Sequence, residues 1–408
     1  MIFSIAWRNV WRNKLRSLVI TLAVSFGLVG GIFSVAWMNG MMEQMITNTI
    51  QTQLSNIQIH NPKYLTNNEV RFDIHNADSI AEEIKGIDQV RAISQHIKAQ
   101  AMASTAATGT GVMIIGIEPE KEAQVTTIHE NLIEGTYFKE EMRSMPILVG
   151  KDLAHKLNAN PGKKVVITIQ NMENVITYGA FRIVGIFETH NSNFDESNVF
   201  VLKEDLAELI NINPKNASEI MIRLDKNKET EGVAKKLRNK LDDELDVQTW
   251  MQIRPEFELF NTWTQQMLYL FLTLILFGLA FGIVNAMLMA VMERVKEIGM
   301  LMAVGMNKRR IFSMIMLETI FLSITGGIVG ILGAYVLVEY FGSVGINLSL
   351  FAEGLQAVGY ASIAYPRVDN SYYFIVAGMV VLTAIIASIY PAYKALKLKP
   401  AEAVREKG

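Results

Sequence analysis

Four stretches of this chain are apolar over the length a helix needs to cross a bilayer. A hydrocarbon core about 30 Å thick takes about 20 helical residues at 1.5 Å each. Ser17–Met38, Met267–Met292 and Tyr372–Tyr393 hold no charged residue, and Ile311–Val338 holds only Glu318. A soluble core helix of such length shows a polar face, which these lack, so all four are predicted to be transmembrane helices. Ahead of the first, Phe3, Trp7, Trp11 and Leu15 recur every four residues, with Arg8, Asn9, Arg12, Asn13 and Arg16 on the opposite side. That spacing predicts an amphipathic helix over 1–16, suited to the headgroup layer.

Between the first two spans the pattern shortens. Strands are predicted at Asn56–His60, Val112–Ile117, Pro146–Val149, Val165–Gln170, Phe181–Phe187, Asn198–Leu202, Glu219–Leu224 and Leu245–Thr249. Helical patterns interleave at Ala77–Lys85, Asp152–Leu157, Lys203–Ile210 and Glu229–Asp243. The expected fold is an integral membrane α-helical protein with four transmembrane helices. A large α+β two-lobed periplasmic domain is inserted between the first and second helices. Its first lobe is expected to take residues 42–130 and 217–250, and its second 131–215. The full division is a leading helix (1–16), spans (17–38, 267–292, 311–338, 372–393), an exterior domain (39–264), a cytoplasmic loop (293–310), an outer loop (339–371) and a tail (394–408).

Charge gives the orientation. Residues 39–264 hold 32 of the 40 acidic residues and 23 of the 38 basic ones, a net of −9; the rest of the chain nets +7. Arg8, Arg12, Lys14 and Arg16 precede the first span. Arg294, Lys296, Lys308, Arg309 and Arg310 lie between the second and third, and Lys394, Lys397, Lys399, Arg405 and Lys407 follow the fourth. Outside 39–264 only Arg367 falls on the other side. Basic residues stay cytoplasmic, so both termini and the 293–310 loop of this multi-pass protein are expected inside, and residues 39–264 face the periplasm or exterior. Ser34-Val35-Ala36 looks like a signal-peptide cleavage site, but the apolar run is as long as a true span and is expected to be retained.

Several kinds of chemistry find no motif. The chain has no cysteine, hence no disulfide or thiolate metal site. The phosphate-loop pattern is absent: Gly150-Lys151-Asp152 and Gly162-Lys163-Lys164 both lack the hydroxyl that would hold magnesium. Any ATP-driven work, with its ATP and magnesium, must therefore come from a partner, and no cofactor is expected in this chain. His60, His75, His96, His129, His155 and His190 have no metal-ligand spacing, and no nucleophile elbow occurs. No catalytic or metal residue is nominated, and a stand-alone enzyme is not expected. Asp242, Asp243 and Glu244 read as a solvated helix end, and the acidic exterior argues against nucleic acid.

Small residues four apart, at Gly27/Gly31, Gly278/Gly282, Gly326/Gly330/Ala334 and Ala384/Ser388, let helix backbones approach closely. Four spans leave little room for a pathway, so a dimer is expected. Glu318, about two turns inside the third span, needs a partner, a bundle-facing position or a proton. It reads either as a packing residue or as one that couples motion or lines a substrate path. The loop Met292–Met306 is mixed in charge, with Ile298, Leu301, Met302 and Val304 giving an apolar side to a small docking helix. Gly299 and Gly305 permit turns or close contact.

These features together resemble the FtsX-like, or MacB-type, ABC transporter permeases. The pattern E-R-x-x-E-I-G-x-x-x-A-x-G is met by Glu293, Arg294, Glu297, Ile298, Gly299, Ala303 and Gly305. The closing pattern P-A-x-x-A, then P-x-x-A-x-R, is met by Pro391, Ala392, Ala395, Pro400, Ala403 and Arg405. The N-terminal W-R-N with R-N-K-x-R-S, the third span's Glu318 with Gly326, Gly327 and Gly330, and Phe181-Arg182-Ile183-Val184-Gly185 are similar too.

The resemblance implies a pair of permeases, two copies or paralogues, on cytoplasmic ABC ATPase subunits. Residues 298–306 would form the coupling helix seated on the ATPase. Nucleotide-driven closure would then move the exterior lobes, with Met267–Met292 as the lever. Glu318, Gly326 and Gly330 would serve packing or coupling within the spans. Within the family the layout looks most like lipoprotein-releasing permeases, which take a lipid-anchored protein from the outer leaflet and pass it to a periplasmic chaperone. The family's partner-docking hairpin corresponds to Asn171–Ala180, with Asn171, Glu173 and Tyr178 as docking candidates; here that connection is short. Membrane lipids and a periplasmic chaperone or adaptor are the other implied partners. Two further readings are an efflux permease for peptides, siderophores or drugs, and an FtsX-like regulator of cell-wall hydrolases.

Overall fold

The computed structural model describes residues 2–12, 14–67, 70–139, 145–241 and 244–397. Asn13, Asp242, Asp243, Lys399, Pro400, Ala403, Arg405 and Lys407, singled out above, lie outside the described residues. The chain forms two compact units. One comprises residues up to Met41, Asn261–Asn347 and Ile363 onward; the other comprises Met42–Phe260 and Leu348–Ser362.

The first unit is a helix bundle. A leading helix, Ile2–Arg12, precedes four long helices: Lys14–Thr49, Pro255–Glu293, Lys308–Val344 and Asn370–Leu396. All four are long and apolar enough to cross a membrane. Two extend well past the apolar windows, because hydropathy marks only the lipid-facing length of a helix and says nothing of its polar continuation. Pro255 opens the second, at the position where a missing N–H leaves no bond unmade. The bundle core is aliphatic: Val24, Leu28 and Ile32 of the first span meet Leu272, Ile283, Ile311, Leu322, Val376 and Val380 of the others.

Among the described residues the second unit is built on ten strands: β1 (Ile57–His60), β2 (Val90–Ser104), β3 (Gly109–Ile117), β4 (Leu132–Gly135), β5 (Pro146–Gly150), β6 (Lys164–Gln170), β7 (Ile176–Phe187), β8 (Asn198–Leu202), β9 (Glu219–Leu224) and β10 (Asp246–Thr249). The order runs β10-β1-β9-β2-β3-β8-β5-β7-β4, and β6 pairs with both β2 and β7. That double pairing closes a ring, β2-β3-β8-β5-β7-β6. Its interior holds Ile97, Ile114, Val149, Leu153, Ile167, Phe181 and Val199. Alternation drives the closure: along β6, Val165, Ile167 and Ile169 point in, while Lys164, Val166 and Gln170 point out.

The lobe boundary differs from the expected one. The first half of β2 pairs with β9 and belongs to a separate core of Ile57, Ile59, Ile84, Ile220, Val233 and Leu237. Its second half pairs with β3 and β6, so residues 97–117 pack with the ring rather than with lobe one. β2 itself was not among the predicted strands. Its sequence, VRAISQHIKAQAMAS, is rich in alanine and glutamine, and tertiary pairing overrides that local preference. The expected outer loop is also divided: Ile346–Asn347 pairs with Ile363–Ala364, and Leu348–Ser362 groups with the exterior unit.

Candidate functional site

The segment expected to dock an ATPase forms a helix, Val295–Ala303, whose ends are set by local chemistry. At its C-terminus the Met306 N–H reaches Leu301 O and the Gly305 N–H reaches Met302 O, with Gly305 at φ +95°. This is a Schellman turn, in which glycine adopts the left-handed conformation without a Cβ penalty. Asn307 then caps the third span, its side chain accepting from the Arg309 N–H at 3.1 Å. Ile298 and Gly299 face inward, whereas Met300 and Val304 are exposed, Val304 by 87%.

Beneath this helix lies a cleft of about 400 Å³ lined by Asn9, Arg12, Arg294, Glu297, Ile298 and Glu318, among others. Glu318 is buried and meets Arg294, whose Nη1 donates to Oε1 at 3.0 Å. The same guanidinium donates through Nη2 to Asn9 O at 3.3 Å. Arg12 Nη2 donates to both oxygens of Glu297, at 2.6 and 2.7 Å. Thus Arg294, Glu297, Ile298 and Glu318 come together, while Glu293, Ala303 and Gly305 do not line the cleft. The sequence reading missed Asn9 and Arg12 as members: nothing local signals a contact across 285 residues.

Gly326 and Gly330 sit elsewhere, against the first span. A Cβ on Gly326 would lie 2.8 Å from the Val24 side chain, and one on Gly330 would lie 3.0 Å from Ser25 Cα. Ser25 Oγ donates to Gly326 O at 2.9 Å, so backbone approach and hydrogen bond coincide. These two glycines therefore serve packing inside one chain. Gly278 and Gly282 face an open apolar groove of about 330 Å³, lined by Val19, Ala23, Gly27, Leu279 and Ile283, where an added Cβ meets nothing within 4 Å.

In the exterior unit, the β6–β7 connection is a five-residue turn. Asn171 Oδ1 accepts from the Glu173 and Val175 N–H groups, each at 2.9 Å, and Asn174 is left-handed at φ +59°. The Asn171 side chain thus builds the turn, and Asn211 Nδ2 donates to Glu173 Oε1 at 3.1 Å. Tyr178 is 79% exposed. It stands opposite Thr168, which in turn stands opposite Met102, and Ile176 is exposed nearby on β7. An apolar band thus crosses the outside of the ring.

Where β2 leaves one core for the other, charges are buried. His96 Nδ1 meets Glu219 Oε1 at 2.8 Å and Nε2 meets Glu122 Oε2 at 2.6 Å. Ionised carboxylates only accept, so both ring nitrogens donate and the imidazole is charged. Burial alone would lower its pKa; Glu122 and then Glu219 outweigh it and push His96 up to about 9. Glu122 is held below its usual range despite burial, first by His96 and then by Ser94 and Thr126. Glu219 is held low by Lys98, 2.5 Å away, and by His96. Among the described residues, no group of three or more His, Asp or Glu is arranged to hold a metal ion.

Residues 17–240 match the MacB-like periplasmic core domain, and residues 269–400 match the FtsX-like permease C-terminal. The lipoprotein-releasing system transmembrane protein LolC of Neisseria meningitidis serogroup B is 25% identical over 404 residues, covering 95% of this chain and 94% of that protein. LolE of Haemophilus influenzae, from the same kind of system, is 22% identical over 98% of each chain. The macrolide export ATP-binding/permease protein MacB of Bdellovibrio bacteriovorus is 34% identical over 124 residues, 30% of this chain and 16% of that protein.

Proposed function

We propose that this chain, which belongs to the FtsX-like ABC transporter permeases with a MacB-like periplasmic core domain, is the membrane subunit of a lipoprotein-releasing system. One observation carries the choice. The alignment with LolC of Neisseria meningitidis runs along nearly the whole of both chains, whereas that with MacB of Bdellovibrio bacteriovorus spans 124 residues, 30% of this chain. The groove beside Gly27, Gly278 and Gly282 supports the reading, since it is apolar and open, as an acyl chain requires.

In this reading a cytoplasmic ATPase seats on Val295–Ala303, meeting Met300, Ala303 and Val304 from below. Hydrolysis on that partner displaces the docking helix. The long helix Pro255–Glu293, which ends beside it in sequence, carries the displacement outward. A second permease completes the assembly, and Ile176, Tyr178 and Met102 offer an apolar surface to a periplasmic partner. Both termini lie in the cytoplasm. The test is depletion of the protein in its native host, followed by membrane fractionation. Outer-membrane lipoproteins are expected to accumulate in the inner membrane, and unaltered sorting overturns the proposal. The 34% likeness to MacB favours efflux as the second reading; drug sensitivity on deletion, with normal lipoprotein sorting, selects it.

A further inference from the structure

We propose that the leading helix is a working part of the coupling device, with Arg12 as the residue that positions the docking helix. The inference rests on the reading that Val295–Ala303 seats on an ATPase.

Two rungs join the leading and docking segments. Asn9 O receives Arg294, and Arg12 grips Glu297. On each side the two members are three residues apart, about one helical turn, so the two rungs lie in step. Arg294 is the N-cap of the docking helix, and its second arm continues to Glu318 in the third span. The leading helix is itself braced. Trp7 and Phe3 pack edge-on against Phe321 of the third span at 5.5 and 6.1 Å, and Ser17 Oγ donates to Val10 O. The docking helix therefore cannot tilt without carrying the leading helix along or breaking a rung.

Exposure separates the two rungs. Arg294 and Glu318 are 13% and 5% exposed, so their attraction is weakly screened. Arg12 and Glu297 are 53% and 51% exposed. A pair so open to water adds little to folding. What it does supply is a second tie, because both Glu297 oxygens lie within hydrogen-bond reach of one Arg12 nitrogen and hold the docking helix to the leading helix one turn beyond Arg294.

The test is charge exchange in the full chain, reconstituted in nanodiscs with its partner ATPase. Arg12→Glu and Glu297→Arg are each expected to lower permease-stimulated ATP hydrolysis at least about fivefold while the ATPase stays bound. The double exchange is expected to restore it to within roughly twofold, which a merely structural role would not do. Arg12→Gln, whose amide keeps the membrane face intact, serves as a milder variant and is expected to fall in between. Single variants with normal stimulation, or a double variant no better than the worse single, overturn the proposal while leaving the docking reading in place. A wild-type chain that neither binds nor stimulates the ATPase overturns both.

Discussion

Gly326 and Gly330 leave no room for a side chain, and Gly278 and Gly282 leave ample room, although all four carry the same spacing signal. A methyl at Gly326 must displace Val24 or the Thr21 carbonyl, which lies 3.1 Å from the added atom. Gly326→Ala is expected to destabilise the bundle by about 1–3 kcal/mol, the range for overpacking a tight interface. Gly282→Ala is expected to leave the melting temperature in detergent unchanged or slightly raised. Equal losses for the two would refute this division of roles. His96 gives a second residue-level expectation. It holds its proton more tightly folded than unfolded, so its contribution is complete below its ordinary value of 6.5 and is lost as pH rises through about 9. Glu122 and Glu219 are depressed, so theirs is complete above 4.5 and lost in acid. Protection of the β2 and β9 amides from hydrogen exchange is therefore expected to peak between those values and decline toward alkaline pH. His96→Leu, which leaves buried Glu122 without a cation while Glu219 keeps Lys98, is expected to cost about 3 kcal/mol and abolish the alkaline slope.

At the scale of elements, the short helix Val295–Ala303, proposed to dock the ATPase, was legible as a helix because its apolar spacing, its glycines and a family pattern agree. Gly305→Asp puts a Cβ into a left-handed turn at φ +95° and is expected to uncouple ATPase stimulation while membrane insertion persists. Glu297→Lys is expected to do the same by repelling Arg12. Val304→Asp places a charge on the exposed apolar face and is expected to weaken ATPase capture about tenfold, as read by co-purification. A Val304→Asp chain that binds as well as wild type would move the docking face elsewhere. The strand β2 was illegible for the opposite reason. Its residues favour a helix locally, and only pairing with β3, β6 and β9 makes it a strand. Because it was missed, the lobe boundary was drawn at 130, and the ring's closure through β6 had no counterpart in the sequence reading.

For the whole molecule, the absence of cysteine gives a clean test of orientation. Glu173→Cys is expected to react with an impermeant maleimide added to intact spheroplasts, and Val304→Cys only after lysis. Labelling of Val304→Cys from outside would invert the topology and remove the basis for a cytoplasmic ATPase partner.

The sequence by itself determined the spans, the class of the exterior domain and the short helix between the second and third spans. Each of these depends on periodicity or composition within a window of neighbours, where the hydrophobic effect and backbone geometry act locally. Only the tertiary structure decided that Arg12 meets Glu297, that Glu318 meets Arg294, that Gly326 packs on Ser25, and that His96 lies between two glutamates. Those pairings join residues 24 to 301 positions apart, and a charge or a glycine carries no mark of its distant partner until the chain has folded around both.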